Sequence, residues 1–160
     1  ATPYRKPLIV MSPKSLLRHP LCMSPLSSLI EGSFQETLPD PYANPKKVKK
    51  VLLVTGKLYY ELYQKQQEDK RDDVAIIRIE QLHPFPEKQV DELLAQYKKA
   101  KVYWVQEEPH NMGAWSYLLR SYQPARSFEV IARRTSASPS TGFFKIHNEE
   151  QSNLIKEAFE

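Results

Sequence analysis

Glycine and cysteine are scarce in this chain. Its 160 residues hold four glycines and one cysteine. Gly32, Gly56, Gly113 and Gly142 stand singly, so no glycine-rich loop exists to cradle a phosphate through backbone N–H groups. The lone Cys22 excludes an intramolecular disulfide and suits a reducing compartment. A metal site finds no signature either. His19, His83, His110 and His147 are far apart, with no two of them one helical turn apart. The serines of the stretch 136–140 form a small-residue loop, not a nucleophile elbow. No apolar run approaches the roughly 20 residues of a membrane span. No charged-then-apolar leader opens the chain, which reads as a soluble protein. Charge of one sign is missing as well, since 23 Lys+Arg face 19 Asp+Glu for a net +4. The lysine clusters at 46–50 and 98–101 read as solvated loop and helix-end charge, because no nucleic-acid reading motif accompanies them.

What is present is an alternation of apolar runs with helical patterns. Residues 7–11 are the first strand candidate, followed by Ser12 as an N-cap, Pro13 at the first helical position, and a short helix over 14–18. The segment 20–47 is broken by Pro20, Pro25, Pro39, Pro41 and Pro45 and reads as extended and linker-like, as do residues 1–6. Within it, 33–38 is either an edge strand or a loop. The β-branched run 51–55 suits a strand buried on both faces. Leu58, Leu62, Tyr59 and Tyr63 then recur at helical spacing over 57–69. Further strands are expected at 74–79, 102–106 and 128–132. Helices are expected from Glu87, from about Trp115 to Tyr122, and at the end, where Asn148 with Gln151 makes a capping pattern. This spacing predicts one α/β domain over 1–160, with a mostly parallel sheet covered on both faces.

The stretch from Gln106 to Trp115 concentrates two carboxylates, a histidine, an asparagine, a glycine and a tryptophan where a strand hands over to a helix. In α/β folds that handover is where ligands and partners are met. Glu107 and Glu108 are neighbours, so on extended backbone they point to opposite sides and make a poor acid/base pair. A small acid/base enzyme using Glu107, Glu108 and His110 is one reading. The other is an interface knot: Glu107 and Glu108 fix the turn, Asn111 joins them, Gly113 permits tight backbone, and Trp115 anchors a neighbour. A separate anion-binding signal comes from Thr55-Gly56-Lys57 at the opening of a helix. Ser12-Pro13-Lys14 is similar, and Arg18, Arg133 and Arg134 are further donors.

Taken together, the run 5–18 ending in Ser15-Leu16-Leu17-Arg18, the Thr55-Gly56-Lys57-Leu58-Tyr59-Tyr60 run, residues 78–86, the Gln106-to-Trp115 motif and residues 136–139 closely resemble one family. It is the C-terminal domain of the thiamine-diphosphate-dependent, decarboxylating first component of the 2-oxoglutarate dehydrogenase complex. The resemblance implies a transketolase-C-terminal-like fold, three-layer α/β/α around a five-stranded mixed, mostly parallel sheet. It implies a parent oxidoreductase of the tricarboxylic acid cycle that decarboxylates 2-oxoglutarate on thiamine diphosphate and magnesium. That parent is a homodimer passing a succinyl group to the lipoyl arm of the dihydrolipoyl succinyltransferase. The family's Gly-Asp-Gly cofactor signature does not occur here, so this part is expected to bind neither cofactor nor metal and to be noncatalytic. The resemblance assigns assembly to the domain and, in some members, an acetyl-CoA-responsive regulatory site, for which Arg18, Thr55, Lys57, Arg133 and Arg134 are the candidates. Composition and apolar runs point to no nucleic acid and no membrane as partners, and the resemblance implies a cytoplasmic setting in a bacterium or the mitochondrial matrix in a eukaryote. The alternatives are the 2-oxoadipate-specific paralogue and a stand-alone acetyl-CoA or nucleotide-binding module.

Overall fold

Apolar runs that must be covered on both sides build the centre of the molecule. In the computed structural model, which describes residues 4–7 and 9–160, the strand Lys50–Val54 has four consecutive residues fully buried. Such a run stays dry only in the middle of a parallel sheet flanked by helices. The elements in chain order are helix α1 (Leu26–Ile30), strand β1 (Thr37–Leu38), β2 (Lys50–Val54), α2 (Leu58–Glu68), β3 (Val74–Ile79), α3 (Glu87–Leu94), β4 (Lys101–Pro109), α4 (Trp115–Ser121), β5 (Glu129–Arg133) and α5 (Phe144–Phe159). The chain divides into two units, one ending at Ser33 and one from Phe34 to Glu160.

In the second unit the strand order is β1-β3-β2-β4-β5, with β1 antiparallel and the other pairings parallel. The expected three-layer α/β/α fold with a five-stranded mixed sheet is therefore found. Side chains alternate across it. Val51, Leu53, Ala75, Ile77, Ile79 and Trp104 face one way, packed with Val90, Trp115, Leu118 and Tyr122 of the α3 and α4 side. Leu52, Val54, Ile76 and Val105 face the other way, where α2 and α5 supply the buried Leu58, Leu62, Leu154 and Phe159.

One strand was misassigned from the sequence. Residues 9–11, in the expected first strand, form no strand; Ile9, Val10 and Met11 are all exposed, and Leu8 lies outside the described residues. The fifth strand of the sheet is β1 instead, the edge-strand alternative for 33–38 reduced to two residues. Asp40 extends its reach. Its carboxylate accepts the N–H of Ile76 at 2.6 Å and the Gln66 amide at 2.7 Å, while Gln66 also donates to the Val74 carbonyl at 2.7 Å. The carboxylate thus satisfies a β3 donor that the two-residue β1 leaves unpaired. Two caps also differ. Lys14–Leu16 is a single 3₁₀ turn entered at Pro13, and α5 starts at Phe144, leaving Asn148 inside the helix.

Candidate functional site at the carboxyl ends of the central strands

β2 lies between β3 and β4, so the order of connection reverses at β2 and β4. A crevice opens there, outside the carboxyl ends of the strands. Its residues come from Thr55-Gly56-Lys57 after β2 and from the last residues of β4. A bulge separates the latter. Between the pairings Val105–Ile131 and Pro109–Arg133, β4 is two residues longer than β5. Bulges re-aim side chains, and here three consecutive residues serve three surroundings.

Gln106 is the buried hub on the α4 side. Its Oε1 accepts from Trp104 Nε1 at 2.9 Å and from the Trp115 N–H at 3.2 Å. Its Nε2 donates to the carbonyls of Met112 at 2.7 Å and Pro109 at 3.0 Å. The turn is therefore held by Gln106, and the expectation that Glu107 and Glu108 fix it is corrected. Gly113 is required where it stands. Its φ is +67°, and a Cβ there would lie 2.9 Å from Gln106 Oε1. Trp115, expected to anchor a neighbouring subunit, is buried in this chain's own core, because the amide cradle draws the start of α4 onto the sheet.

Glu107 faces the α2 and α5 side. It is hydrogen-bonded to the Lys57 ammonium, which also lies 3.3 Å from Glu61. Burial works against the Lys57 ammonium, but the hydrogen bond and charge of Glu107, with Glu61 behind them, outweigh it and hold its pKa above the ordinary lysine value. Gln151 of α5 donates to Glu61 at 2.8 Å and to Glu107 at 3.1 Å. Its Oε1 accepts from Arg133 at 2.8 Å. Arg133 in turn donates to His147 Nδ1 at 3.2 Å and lies 3.6 Å from Glu150. Because a guanidinium only donates, the His147 Nδ1 facing it carries no proton. The buried Nε of Arg133 has no hydrogen-bond partner.

Glu108 points elsewhere. With Thr55, Leu82, His83, Trp104 and Tyr117 it lines a mainly apolar recess of about 360 Å³. At its rim Tyr117 Oη and His83 Nδ1 are 2.9 Å apart. Asn111 ties the turn to the following loop, donating to the Ser136 carbonyl at 3.0 Å and accepting its N–H at 3.1 Å. His110 is exposed, so Glu107, Glu108 and His110 do not converge as an acid/base site.

The residues expected to hold an anion are thus distributed. Lys57 and Arg133 belong to one hydrogen-bonded chain through Glu107 and Gln151, their charges already met by carboxylates. Arg134 is exposed and shares with Arg133 a groove of about 620 Å³ beside α5. Thr55 lines the recess with Glu108, and Arg18 belongs to the first unit, beside Lys14 and His19. Gln106, Gln151 and Asp40 carry the polar architecture, and none was singled out for it from the sequence. The only signal is that a glutamine interrupts a run of strand residues. Among the described residues, no three His, Cys, Asp or Glu side chains gather to hold a metal, and no helix is long and apolar enough to cross a membrane.

Comparison with known proteins bears on this geometry. Residues 23–159 match the family described as 2-oxoglutarate dehydrogenase C-terminal. The chain is 43% identical over 166 residues to the 2-oxoglutarate dehydrogenase E1 component of Azotobacter vinelandii, covering 98% of this chain and 18% of that protein. It is 40% identical to the mitochondrial 2-oxoglutarate dehydrogenase of Caenorhabditis elegans, covering 98% of this chain and 16% of that one. It is 42% identical to the 2-oxoglutarate dehydrogenase E1/E2 component of Corynebacterium glutamicum, covering 98% and 13%. The chain therefore spans less than a fifth of the length of these relatives. With a family match over the last third of the first unit and nearly all of the second, this chain belongs to the 2-oxoglutarate dehydrogenase C-terminal family.

Proposed function

We propose that this chain is the assembly and regulatory part of a thiamine-diphosphate-dependent 2-oxoglutarate dehydrogenase first component and does no chemistry by itself. The observation that carries the reading is identity above 40% with E1 components over almost the full chain. The site geometry agrees with it. Glu107 and Glu108 diverge, and the cations of the crevice are committed to carboxylates, which is the arrangement of a rigid, preset surface. The Gly-Asp-Gly signature that goes with thiamine diphosphate and magnesium does not occur in this chain. Their binding belongs to other parts of the polypeptide.

In this reading the whole polypeptide is a homodimer, and it hands a succinyl group to a dihydrolipoyl succinyltransferase. A relative that carries E1 and E2 in one name supports that partnership. The names of the relatives favour 2-oxoglutarate over 2-oxoadipate as substrate. The setting is the cytoplasm in a bacterium and the mitochondrial matrix in a eukaryote.

Carbon dioxide release from 2-oxoglutarate tests the assignment. The complete polypeptide with thiamine diphosphate and magnesium is expected to turn over, and the 160-residue chain is not. Turnover by the short chain overturns the noncatalytic reading. For regulation, acetyl-CoA is the effector proposed, with Arg18 in the first unit and Thr55, Lys57, Arg133 and Arg134 in the second as separate candidates for its acidic groups. Calorimetric titration is expected to give binding that weakens at least about tenfold, a loss of roughly 1.4 kcal/mol, on Arg18→Ala. An absence of heat with the unaltered protein removes the effector site.

A further inference from the structure

The first unit has an unusual surface. Of the fifteen large apolar side chains exposed among the described residues, ten lie between Tyr4 and Ile30. No described residue in that span is buried. Helix α1 has its apolar residues Leu26, Leu29 and Ile30 on one stripe, and each is at least 70% exposed. A five-residue helix with no side-chain cap does not hold itself together in water. Something must cover the stripe. The same span carries Arg5, Lys6, Lys14 and Arg18 and no carboxylate before Glu31.

We propose that this basic, apolar arm docks on an apolar, carboxylate-bearing face in the remainder of the same polypeptide. The inference rests on the reading of the chain as part of a longer first component. Three observations select that occupant. The relatives carry more than four-fifths of their length outside the region this chain spans, so surface to receive the arm exists. A second copy offers poor complementarity, because residues 34–160 hold 19 Lys+Arg against 18 Asp+Glu and have no acidic excess. A lipid surface asks for a longer amphipathic helix, which Pro7, Pro13, Pro20 and Pro25 forbid.

Cys22, exposed and outside any disulfide, sits in the arm as a reporter. Its alkylation by iodoacetamide, followed by peptide mass spectrometry, is compared in the 160-residue chain and the complete polypeptide. Docking is expected to slow the reaction at least about tenfold in the complete polypeptide. Leu26→Ser/Leu29→Ser, and separately Lys14→Glu, are expected to restore most of the fast rate. These side chains are exposed, so circular dichroism is expected to find both variants folded. Equal rates in the two proteins overturn the proposal, as does protection untouched by either variant. Protection that rises with the concentration of the short chain assigns the arm to a second copy and also overturns it. So does sedimentation of the short chain with phosphatidylserine vesicles when the complete polypeptide gives no protection. Decarboxylation is measured on the same complete polypeptide. Its absence with Cys22 protected removes the parent assignment and leaves the docking, whereas turnover with Cys22 unprotected does the reverse.

Discussion

Gln106 illustrates how much one buried amide can organise. Its two ends meet an indole N–H, a backbone N–H and two carbonyls drawn from β4, the turn and the start of α4. Gln106→Leu keeps the volume and leaves those groups unsatisfied, so a loss of about 2–4 kcal/mol is expected in urea denaturation. Gly113→Ala meets the same hub from the other side. It combines a positive φ with a Cβ about 3 Å from the Gln106 amide, and a loss of about 1–3 kcal/mol is expected. Because both substitutions disturb one network, their costs should add to less than the sum in the double variant. A second residue-scale effect concerns pH. Burial pushes the Tyr59 phenol up to about 12, against a smaller opposing pull from Arg78. The folded chain therefore keeps this proton where the unfolded chain, at an ordinary value of about 10, has lost it. The stability linked to Tyr59 is full below about pH 10 and declines as pH rises from about 10 to 12. Tyr59→Phe is expected to change little at pH 7 and to flatten that decline, as read by melting temperature against pH.

At the scale of elements, the edge of the sheet shows what a short strand needs. β1 has two residues, and Asp40 completes its work by accepting the Ile76 N–H and the buried Gln66 amide. Asp40→Ala removes both acceptors, and a loss of about 2–4 kcal/mol is expected by urea denaturation, with faster amide exchange at Ile76 as the local sign. Residues 33–38 offer an edge strand as one of two readings, but the part played by Asp40 could not be read there, because it depends on pairing with the distant strand β3. The runs 51–55 and 74–79 were legible for the opposite reason. A strand buried on both faces must be apolar at every position, and few other structures tolerate that pattern. The run 7–11 is equally apolar, yet its described residues 9–11 form no strand, since an apolar run states a need for cover and not where the cover comes from. In the candidate site, the divergence of Glu107 and Glu108 followed from strand alternation alone. The role of Gln106 did not, because the β4 bulge that re-aims these residues arises from pairing with β5. Nor did the neutralisation of Lys57 and Arg133, which requires α2, α5 and β5 to meet at one place.

At the scale of the whole molecule, stability and interaction are divided between the two units. Both faces of the sheet, and every buried residue among those described, belong to residues 34–160. Among its described residues, the first unit contributes charge and exposed apolar surface but no buried side chain. Removing residues 1–33 therefore deletes no core packing made by a described residue, and large losses of stability come from core packing, buried polar groups or lost caps. A domain of this size shifts its melting temperature by roughly 2–8 °C for each kcal/mol. The truncated chain is expected to melt within about 3 °C of the 160-residue chain, with the same cooperative transition by circular dichroism and by tryptophan fluorescence. Both tryptophans, Trp104 and Trp115, lie in the second unit's core, so the fluorescence reports that unit directly. A fall of more than about 10 °C would mean that the arm carries part of the fold. An unchanged transition would mean that its apolar side chains serve contacts beyond this chain, since exposed leucines at helical spacing and a carboxylate-free run of cations add nothing to a core they do not enter.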